Sequence, residues 1–596
     1  GGLGEEAQVL WYAPLAYALV LGLAGAAGGA VLAVLPMERG EIRGWTASLA
    51  WIALGVAPAL VIALFRIRRD VFAEQMPPAS WLLALAGAAG ALAVVLFLFG
   101  PRLLGGRAGR LVAPLPALVL AALVGGGGAL AARAIAPPPA APAAPPAVPP
   151  ALAERPNVLL IVIDTLRADV LSCYGGPVEA PNMCGLGEEG TRFKGFAHAS
   201  WTKPSFATLL SSTLPSTHGA MSKTAAVPEG VELVSETLQA HGYVTGGIVS
   251  NINLAPSFGF EQGWNEYRYL APDYLFGASE SSSKTILYQI ARKVSLRLKP
   301  GHRVSDYYQD AEAVNAVALP WLERHAGARW FLLLHYMDPH DPYFAHPYDG
   351  TAIARVEAEH PDPALAPRMR ALYEGEVRWT DQHLGVVFDR LRALGLWDQT
   401  MIVLTSDHGE EFHEHGGWWH GKTLYEDQIH VPFLVKWPRG VAGPPDADGE
   451  IVRHIDVVPT ILARAGAPLS SSLQGVDLLA RPLAERSEAE RTLYAEEDHE
   501  GNVLEAVRTR DWKLIEANPG NPRGLPPAEL FAIETDPHER TNLIDAHAAV
   551  ADELRRHGAA HRQLAASRAV AGGAAADIDR EECERLRVLG YVERCE

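Results

Sequence analysis

Four apolar stretches separated by short polar segments dominate the first 136 residues of the chain. They cover residues 9–35, 45–65, 81–100 and 111–135. Each is near or above the roughly 20 residues that an α-helix needs to cross a bilayer. The pattern predicts an all-α transmembrane region of about four helices over residues 1–136, and hence a multi-pass membrane protein.

The arginines between these stretches predict the side of the membrane on which the remainder lies. Five lie on one side and three on the other: Arg39, Arg43, Arg102, Arg107 and Arg110 against Arg66, Arg68 and Arg69. The positive-inside rule assigns the five-arginine side to the cytoplasm. We therefore expect everything after an Ala/Pro-rich linker at residues 137–154 to lie on the outer or periplasmic face.

Beyond residue 154, short continuous apolar runs alternate with helical periodicity. The apolar runs predict buried strands over residues 158–163, 243–249, 330–334 and 401–404. The periodic segments predict helices near residues 231–241, 311–325, 368–394 and 455–465. Such alternation is typical of an α/β fold in which helices cover both faces of a mostly parallel sheet.

The charge and the cysteines narrow the classes of partner and compartment. The formal net charge is −18, which argues against nucleic acid as a partner because like charges repel. An anionic substrate would then need a metal ion or a local basic pocket. Cys173 with Cys184, and Cys583 with Cys595, are close enough in sequence for two local disulfide bonds, although free thiols fit equally well.

Polar clusters follow three of the predicted strands. The first begins with Asp164, the second contains His340, and the third contains Asp407 and His408. The carboxyl ends of parallel strands meet at one edge of an α/β sheet, where such folds bind their ligands. We therefore expect these clusters to form a single site.

Thr202 is the candidate nucleophile of that site. Pro204 suits the first turn of a helix, so the Thr202 hydroxyl is expected at a helix N-terminus. Backbone N–H groups and the helix dipole there favour an anion, such as an alkoxide, a phosphate or a sulfate. Taken alone, Thr202 is explained better as an ordinary helix cap; the metal-ligating residues elsewhere in the chain favour the nucleophile.

Each candidate site residue has a predicted role. One divalent cation, with calcium, manganese, magnesium and zinc all compatible, is expected to bind Asp164, Thr202, Asp407 and His408. The cation would lower the pKa of the Thr202 hydroxyl and orient it towards a phosphorus or sulfur centre. His340 and Lys422 are expected to neutralise the substrate's non-bridging oxygens. His420 is a candidate acid for the leaving group, with a second-metal ligand and a structural histidine equally open.

Several motifs occur together in a fixed order. They are the strand ending in Asp164, the segment Thr202-Lys203-Pro204-Ser205-Phe206, the segment Asp338-Pro339-His340, the segment Asp407-His408-Gly409-Glu410, and Lys422 with Tyr425-Glu426. In this combination residues 155–545 resemble the sulfatase branch of the alkaline phosphatase superfamily. The resemblance implies that family's mostly parallel sheet between helices, with a catalytic domain over residues 155–478. A small C-terminal α+β subdomain and tail would occupy residues 479–596.

The departures from the family's motifs bear on the chemistry. Sulfatases oxidise a cysteine or serine to formylglycine at the position of Thr202, and threonine cannot take that route because its β-carbon bears a methyl group. Phe206 replaces an arginine, and Thr165 replaces the second of two paired aspartates. The family's Gly-Lys-Trp-His segment is absent, with Asn251 a weak substitute. No formylglycine is therefore expected.

A threonine nucleophile resembles instead the lipoteichoic-acid-synthase-like phosphoglycerol transferases and the phosphoethanolamine transferases of the same superfamily. The leading hypothesis is a membrane-anchored, metal-dependent hydrolase or transferase that acts on phosphate esters, including lipid-linked or glycan-linked ones. One alternative is a sulfatase with an unmodified threonine. Another is a non-catalytic scaffold on the same fold, against which the intact Asp407-His408 pair argues.

Overall fold

A computed structural model describes residues 148–273, 304–355, 358–444, 447 and 450–571, together with isolated positions between 45 and 99 and at 583 and 586. The described residues from 148 onward belong to one compact unit. They contain sixteen strands: β1 (Asn157–Ile163), β2 (Thr191–Phe196), β3 (Val244–Val249), β4 (Glu266–Tyr269), β5 (Trp330–Tyr336), β6 (Tyr343–Phe344), β7 (Ala352–Ile353), β8 (Thr400–Thr405), β9 (Glu411–Phe412), β10 (Trp418–Trp419), β11 (His430–Lys436), β12 (Ile451–Arg453), β13 (Leu493–His499), β14 (Asn502–Arg508), β15 (Trp512–Ala517) and β16 (Ala528–Ala532).

Ten α-helices lie in the same described residues. They are α1 (Pro181–Glu189), α2 (Thr202–Ser211), α3 (Pro215–His218), α4 (Val234–Ala240), α5 (Ala311–His325), α6 (Ala366–Ala393), α7 (Glu426–Ile429), α8 (Val457–Ala465), α9 (Glu488–Arg491) and α10 (Ala548–Arg568). The predicted helices at 231–241, 311–325, 368–394 and 455–465 correspond to α4, α5, α6 and α8. Their ends differ from the predictions by a few residues at most.

An eight-stranded sheet forms the centre, in the order β12-β2-β11-β8-β1-β5-β3-β4. β1 pairs in parallel with both β5 and β8. Only β11 runs antiparallel to its neighbours, β2 and β8. The predicted α/β class with a mostly parallel sheet is therefore confirmed.

All seven residues of β1 are buried because helices cover both faces of the sheet. Leu160 and Val162 pack in a core with α2, α4 and α8. Leu159 and Ile161 face the opposite core, with α1, α5 and α6. This two-sided burial explains why the strand is a continuous apolar run rather than an alternating one.

A second, four-stranded antiparallel sheet is formed by β13, β14, β15 and β16. One of its faces packs against α10 through residues such as Tyr494 and Leu554. The other packs against Phe196 at the end of β2 and against Ile429 in α7. The C-terminal sheet thus abuts the edge of the central sheet where the candidate site residues lie.

The possible disulfide bond between Cys173 and Cys184 is formed, with the two Cα atoms 5.6 Å apart. It joins the segment that follows β1 to helix α1. Cys595, in the other pair, lies outside the described residues.

The expectation of a multi-pass membrane protein, with its catalytic domain on the outer or periplasmic face, is wrong. Within the described part of the chain, no helix combines the length and the apolar character that crossing a bilayer requires. The two longest helices there, α6 and α10, carry many charged residues, which a bilayer-spanning helix excludes. The apolar stretches at 9–35 and 111–135 lie outside the described residues, and those at 45–65 and 81–100 are described only at isolated positions.

Candidate active site

Three metal-ligating side chains converge where β1 and β8 end. Asp164 directly follows β1, and Asp407 and His408 follow the adjacent parallel strand β8. One ligand atom of each lies within 4.8 Å of the other two, and all three residues are buried. The His408 Nδ1 atom is 2.9 Å from the carbonyl oxygen of Gly409. Because that oxygen can only accept, Nδ1 carries the proton and Nε2 is left to act as a ligand.

The three side chains fit a divalent cation. Asp164 Oδ1 and Asp407 Oδ2 have no hydrogen-bond partner among the described residues. They lie 3.7 and 3.4 Å from His408 Nε2. Buried carboxylate oxygens without a partner are unfavourable unless a cation neutralises them. Two carboxylates and an imidazole suit a hard or borderline cation, so the donor set is compatible with calcium, magnesium, manganese or zinc.

The electrostatics of the two aspartates differ. Burial alone would raise the pKa of Asp164, but the charges of His340, His335 and His408 lower it below its usual range. Burial and the neighbouring Asp164 charge raise the pKa of Asp407 to about 6. Mutual repulsion of two close carboxylates is relieved by a bound cation, so cation binding and ionisation of this pair support each other.

Thr202 is the first residue of α2 and is fully buried beside these ligands. Its Oγ1 atom is 3.4 Å from His408 Nε2. The cap position belongs to Trp201, whose side chain makes no capping hydrogen bond. Thr202 therefore presents its hydroxyl at the N-terminus of the helix, next to the metal-ligating residues.

Two residues to which the motifs assigned a weak role or none complete this cluster. The Asn251 side-chain amide donates to Asp164 Oδ2 at 2.7 Å and to Thr202 Oγ1 at 3.3 Å. His335 Nε2 lies 3.2 Å from the same Asp164 oxygen. Phe206, in place of the family's arginine, packs its ring edge against the His335 imidazole.

Position in the sheet was the signal that could have identified these two residues. Asn251 follows β3, and His335 lies near the end of β5; both strands end at the same sheet edge as β1. A histidine within an otherwise apolar run is also unusual for a buried strand. Thr165 follows Asp164, but its buried hydroxyl has no hydrogen-bond partner among the described residues.

His340 and His420 lie together beside the ligands. Their ring centroids are 4.9 Å apart, and the His420 ring is 4.5 Å from that of His408. His420 Nδ1 is 3.1 Å from a carboxylate oxygen of Glu410. Burial lowers the pKa of His340 to about 4 and lowers that of His420 well below its usual value. Burial raises the pKa of Glu410 to about 7, so this carboxyl group can hold a proton near neutral pH.

Lys422 lies in a pocket of about 520 Å³ rather than in the ligand cluster; we call this the Lys422 pocket. The pocket is also lined by Glu359, Trp418, Glu500 and Arg523. The Lys422 ammonium group lies 3.5 Å from Glu359 and 3.7 Å from Glu500. Its charge is thus already neutralised by two carboxylates.

The C-terminal sheet contacts and positions the segment that immediately precedes Thr202. The Ser200 hydroxyl donates to Glu497 Oε2, in β13, at 2.5 Å. The Trp201 ring lies against His499 of the same strand, with centroids 4.6 Å apart. The position of the Thr202 hydroxyl therefore depends on a strand almost 300 residues further along the chain.

Comparison with known families and structures agrees with this geometry. The profile of the sulfatase family matches residues 156–467, and that of the C-terminal region of N-sulphoglucosamine sulphohydrolase matches residues 413–563. The choline-sulfatase of Rhizobium meliloti (strain 1021) is 23% identical over 454 residues, which cover 66% of this chain and 83% of the relative.

Two solved structures share the fold. The 2-O GAG sulfatase BT1596 has a TM-score of 0.56 at 16% identity, covering 73% of this chain and 96% of that one. The phosphonate monoester hydrolase of Agrobacterium radiobacter has a TM-score of 0.51 at 22% identity, covering 68% and 96%. With a family match that spans more than half of its length, the chain belongs to the sulfatase family.

Proposed function

We propose that the protein is a metal-dependent hydrolase of sulfate esters in which the hydroxyl of Thr202 attacks the sulfur atom. The observation that carries this proposal is the position of that hydroxyl, at a helix N-terminus and 3.4 Å from His408 Nε2 in a buried set of metal ligands. Membership of the sulfatase family, with relatives such as choline-sulfatase, favours sulfate esters over the phosphoryl transfer expected from the threonine alone.

The first step forms a bond between Thr202 Oγ1 and sulfur and breaks the bond between sulfur and the leaving oxygen, while the Thr202 hydroxyl proton passes to solvent. A divalent cation, when bound, lowers the pKa of the hydroxyl and stabilises negative charge on the ester oxygens. Asn251 holds the hydroxyl towards the ligands by donating to both Thr202 and Asp164. Asp407 and Asp164 supply the compensating negative charge.

His420 protonates the leaving oxygen, with Glu410 as its partner. The hydrogen bond between them and the pKa of about 7 for Glu410 keep a proton in this pair near neutral pH. In the second step, water attacks the sulfur of the sulfothreonine and the bond between sulfur and Thr202 Oγ1 breaks. One proton of that water goes to Thr202 Oγ1, and sulfate leaves. The other proton of that water returns to the His420 and Glu410 pair, so the cycle balances.

His340 and Lys422 bind the substrate. His340 lies beside His420, where an anionic ester would oppose the effect of burial and favour its protonated form. Lys422 lies further out and is proposed to contact the substrate's leaving group in the Lys422 pocket. The buried Asp164, Asp407 and His408 group argues against a non-catalytic scaffold, because such a protein needs no buried carboxylate pair.

Hydrolysis of phosphate diesters or phosphonate monoesters is the second candidate. Its specific support is the unmodified threonine, since an ordinary hydroxyl is a competent nucleophile towards phosphorus. The similarity in fold to a phosphonate monoester hydrolase agrees with it. The same residues would perform the reaction, with phosphorus in place of sulfur.

The test compares three chromogenic substrates on the full chain loaded with a divalent cation: p-nitrophenyl sulfate, bis-p-nitrophenyl phosphate and p-nitrophenyl phenylphosphonate. We expect the highest kcat/KM with the sulfate. Thr202→Ala should lose about 10⁴-fold in kcat, as expected for a deleted nucleophile, whereas the exposed Thr541→Ala should match the wild type. Faster turnover of a phosphorus ester would favour the second candidate. Full activity of Thr202→Ala would exclude both.

A further inference from the structure

A second group of metal-ligating side chains lies between the segment after β5 and helix α6. Asp338 follows β5, His346 follows β6, and Glu376 belongs to α6. One ligand atom of each lies within 4.8 Å of the other two. Asp338 and Glu376 are fully buried, and the His346 side chain is only 8% exposed. The group shares no residue with the Asp164, Asp407 and His408 cluster.

The negative charge of this group is poorly compensated. Neither carboxylate oxygen of Asp338 has a hydrogen-bond partner among the described residues. Glu376 accepts the Phe344 backbone N–H at 2.5 Å and lies 3.0 Å from His346 Nε2. Across the described ranges, no lysine or arginine pairs with either carboxylate. Two buried carboxylates with a single imidazole are costly unless a proton or a cation joins them.

Two neighbouring side chains also leave the negative charge of this group uncompensated. The nearby Tyr308 hydroxyl is buried and also has no partner in the part of the chain that the structure describes. Asp310 contributes further negative charge, but its side chain is engaged at the N-terminus of α5, where it accepts the Ala313 N–H.

We propose that Asp338, His346 and Glu376 bind a second divalent cation, of the borderline type represented by Zn²⁺ or Mn²⁺. One imidazole with two carboxylates suits such an ion better than calcium, which prefers an all-oxygen shell. Asp338 and His346 lie near the two ends of the segment 337–347, and Glu376 anchors both to α6. Because His340 lies within that segment, the cation fixes the position of a substrate-binding histidine.

Metal content of the full chain tests this site without an activity assay. The protein is incubated with Zn²⁺ or with Mn²⁺ and desalted, and metal per chain is measured by mass spectrometry. We expect two equivalents in the wild type and one in Asp407→Asn. One equivalent is also expected in His346→Ala and none in the Asp407→Asn/His346→Ala double variant. Glu374→Gln, two residues before Glu376 and ion-paired with Arg370 at the protein surface, should retain two.

The proposal would be contradicted by one equivalent of metal in the wild type and none in Asp407→Asn. Asp338 and Glu376 would then share a proton instead of a cation. Asp338, His346 and Glu376 are unchanged in both the wild type and Asp407→Asn. The comparison of these two proteins is therefore valid even if variants of the second group fail to fold. A thermal scan gives an independent readout. Added Zn²⁺ should raise the Tm of Asp407→Asn but not that of the double variant; no rise in either would also contradict the site.

Discussion

The Asp164, Asp407 and His408 cluster and the Lys422 pocket are built differently. Asp164, Asp407 and His408 come from the ends of paired strands and are fully buried. The pocket is lined by loop residues and by the C-terminal sheet, and the Lys422 side chain is 15% exposed. Strand pairing sets the geometry of the cluster, whereas contacts between loops and the C-terminal sheet set that of the pocket. Reaction chemistry and substrate selection are therefore separable in this fold.

The two regions also differ in charge balance. The cluster has carboxylate oxygens without partners, which a cation would satisfy. In the pocket, Lys422 is paired with Glu359 and Glu500, and Arg523 is paired with Glu411. An anionic group that enters the pocket must break an existing ion pair, whereas a neutral or cationic leaving group need not. Substitutions in the cluster should consequently lower kcat, and substitutions in the pocket should mainly raise KM.

After loss of Thr202 itself, the largest effect is expected from removal of a metal ligand. Asp407→Asn should lower kcat by about 10³-fold or more, because the amide cannot replace the charge that holds the cation. Chelation with EDTA should have the same effect on the wild type, and a divalent cation should restore only the wild type. Asp349→Asn, on an exposed loop, is the matched control. Activity that survives both EDTA and Asp407→Asn would contradict metal dependence.

Loss of the Asn251 amide is expected to lower kcat less than removal of a metal ligand does. Asn251→Ala should lower kcat by roughly 10–100-fold, the usual range for a residue that orients a metal ligand, because it contacts both Asp164 and Thr202. Asn253→Ala removes a contact with Asn251 but none with Thr202, so its loss should be smaller. Equal losses in steady-state kinetics would mean that the effect is structural.

Replacement of Lys422 tests whether the pocket, unlike the cluster, affects KM rather than kcat. Lys422→Ala should raise KM by about tenfold, as for the loss of one charged hydrogen bond, with kcat changed little. Lys223 pairs with the same Glu500, at 2.8 Å, but does not line the pocket. Lys223→Ala should therefore leave KM unchanged. A fall in kcat without a rise in KM for Lys422→Ala would assign that residue to the reaction chemistry instead.

The last effect concerns stability rather than catalysis. Burial raises the pKa of Glu497 from 4.5 to about 8. Between those values the folded chain keeps a proton that the unfolded chain has released, so stability falls as the pH rises through this window. The loss is at most roughly 1.4 kcal/mol per pH unit. Glu497→Gln cannot ionise, so its Tm relative to the wild type should rise from pH 5 to pH 8. A constant difference across that range would contradict the assignment.

Local pattern was enough to predict the sheet and the convergence of Asp164, Asp407 and His408. The apolar run before Asp164 is continuous because both faces of β1 are covered, and the acid follows it directly. Ser200 and Glu497 could not be paired from sequence, since nothing local to either residue specifies a contact across 297 positions. The same applies to the Lys422 pocket, whose lining comes from several loops. The transmembrane prediction rested on apolar length alone, and no helix of the described residues bears it out.

The most direct test of the central claim is the detection of a covalent intermediate on Thr202. The full chain, loaded with a divalent cation, is mixed with p-nitrophenyl sulfate, quenched in acid, digested and analysed by mass spectrometry. We expect a peptide containing Thr202 that carries a sulfuryl group, absent in Thr202→Ala and in samples treated with EDTA. Turnover of the sulfate ester with no adduct on Thr202 and with full activity in Thr202→Ala would contradict it.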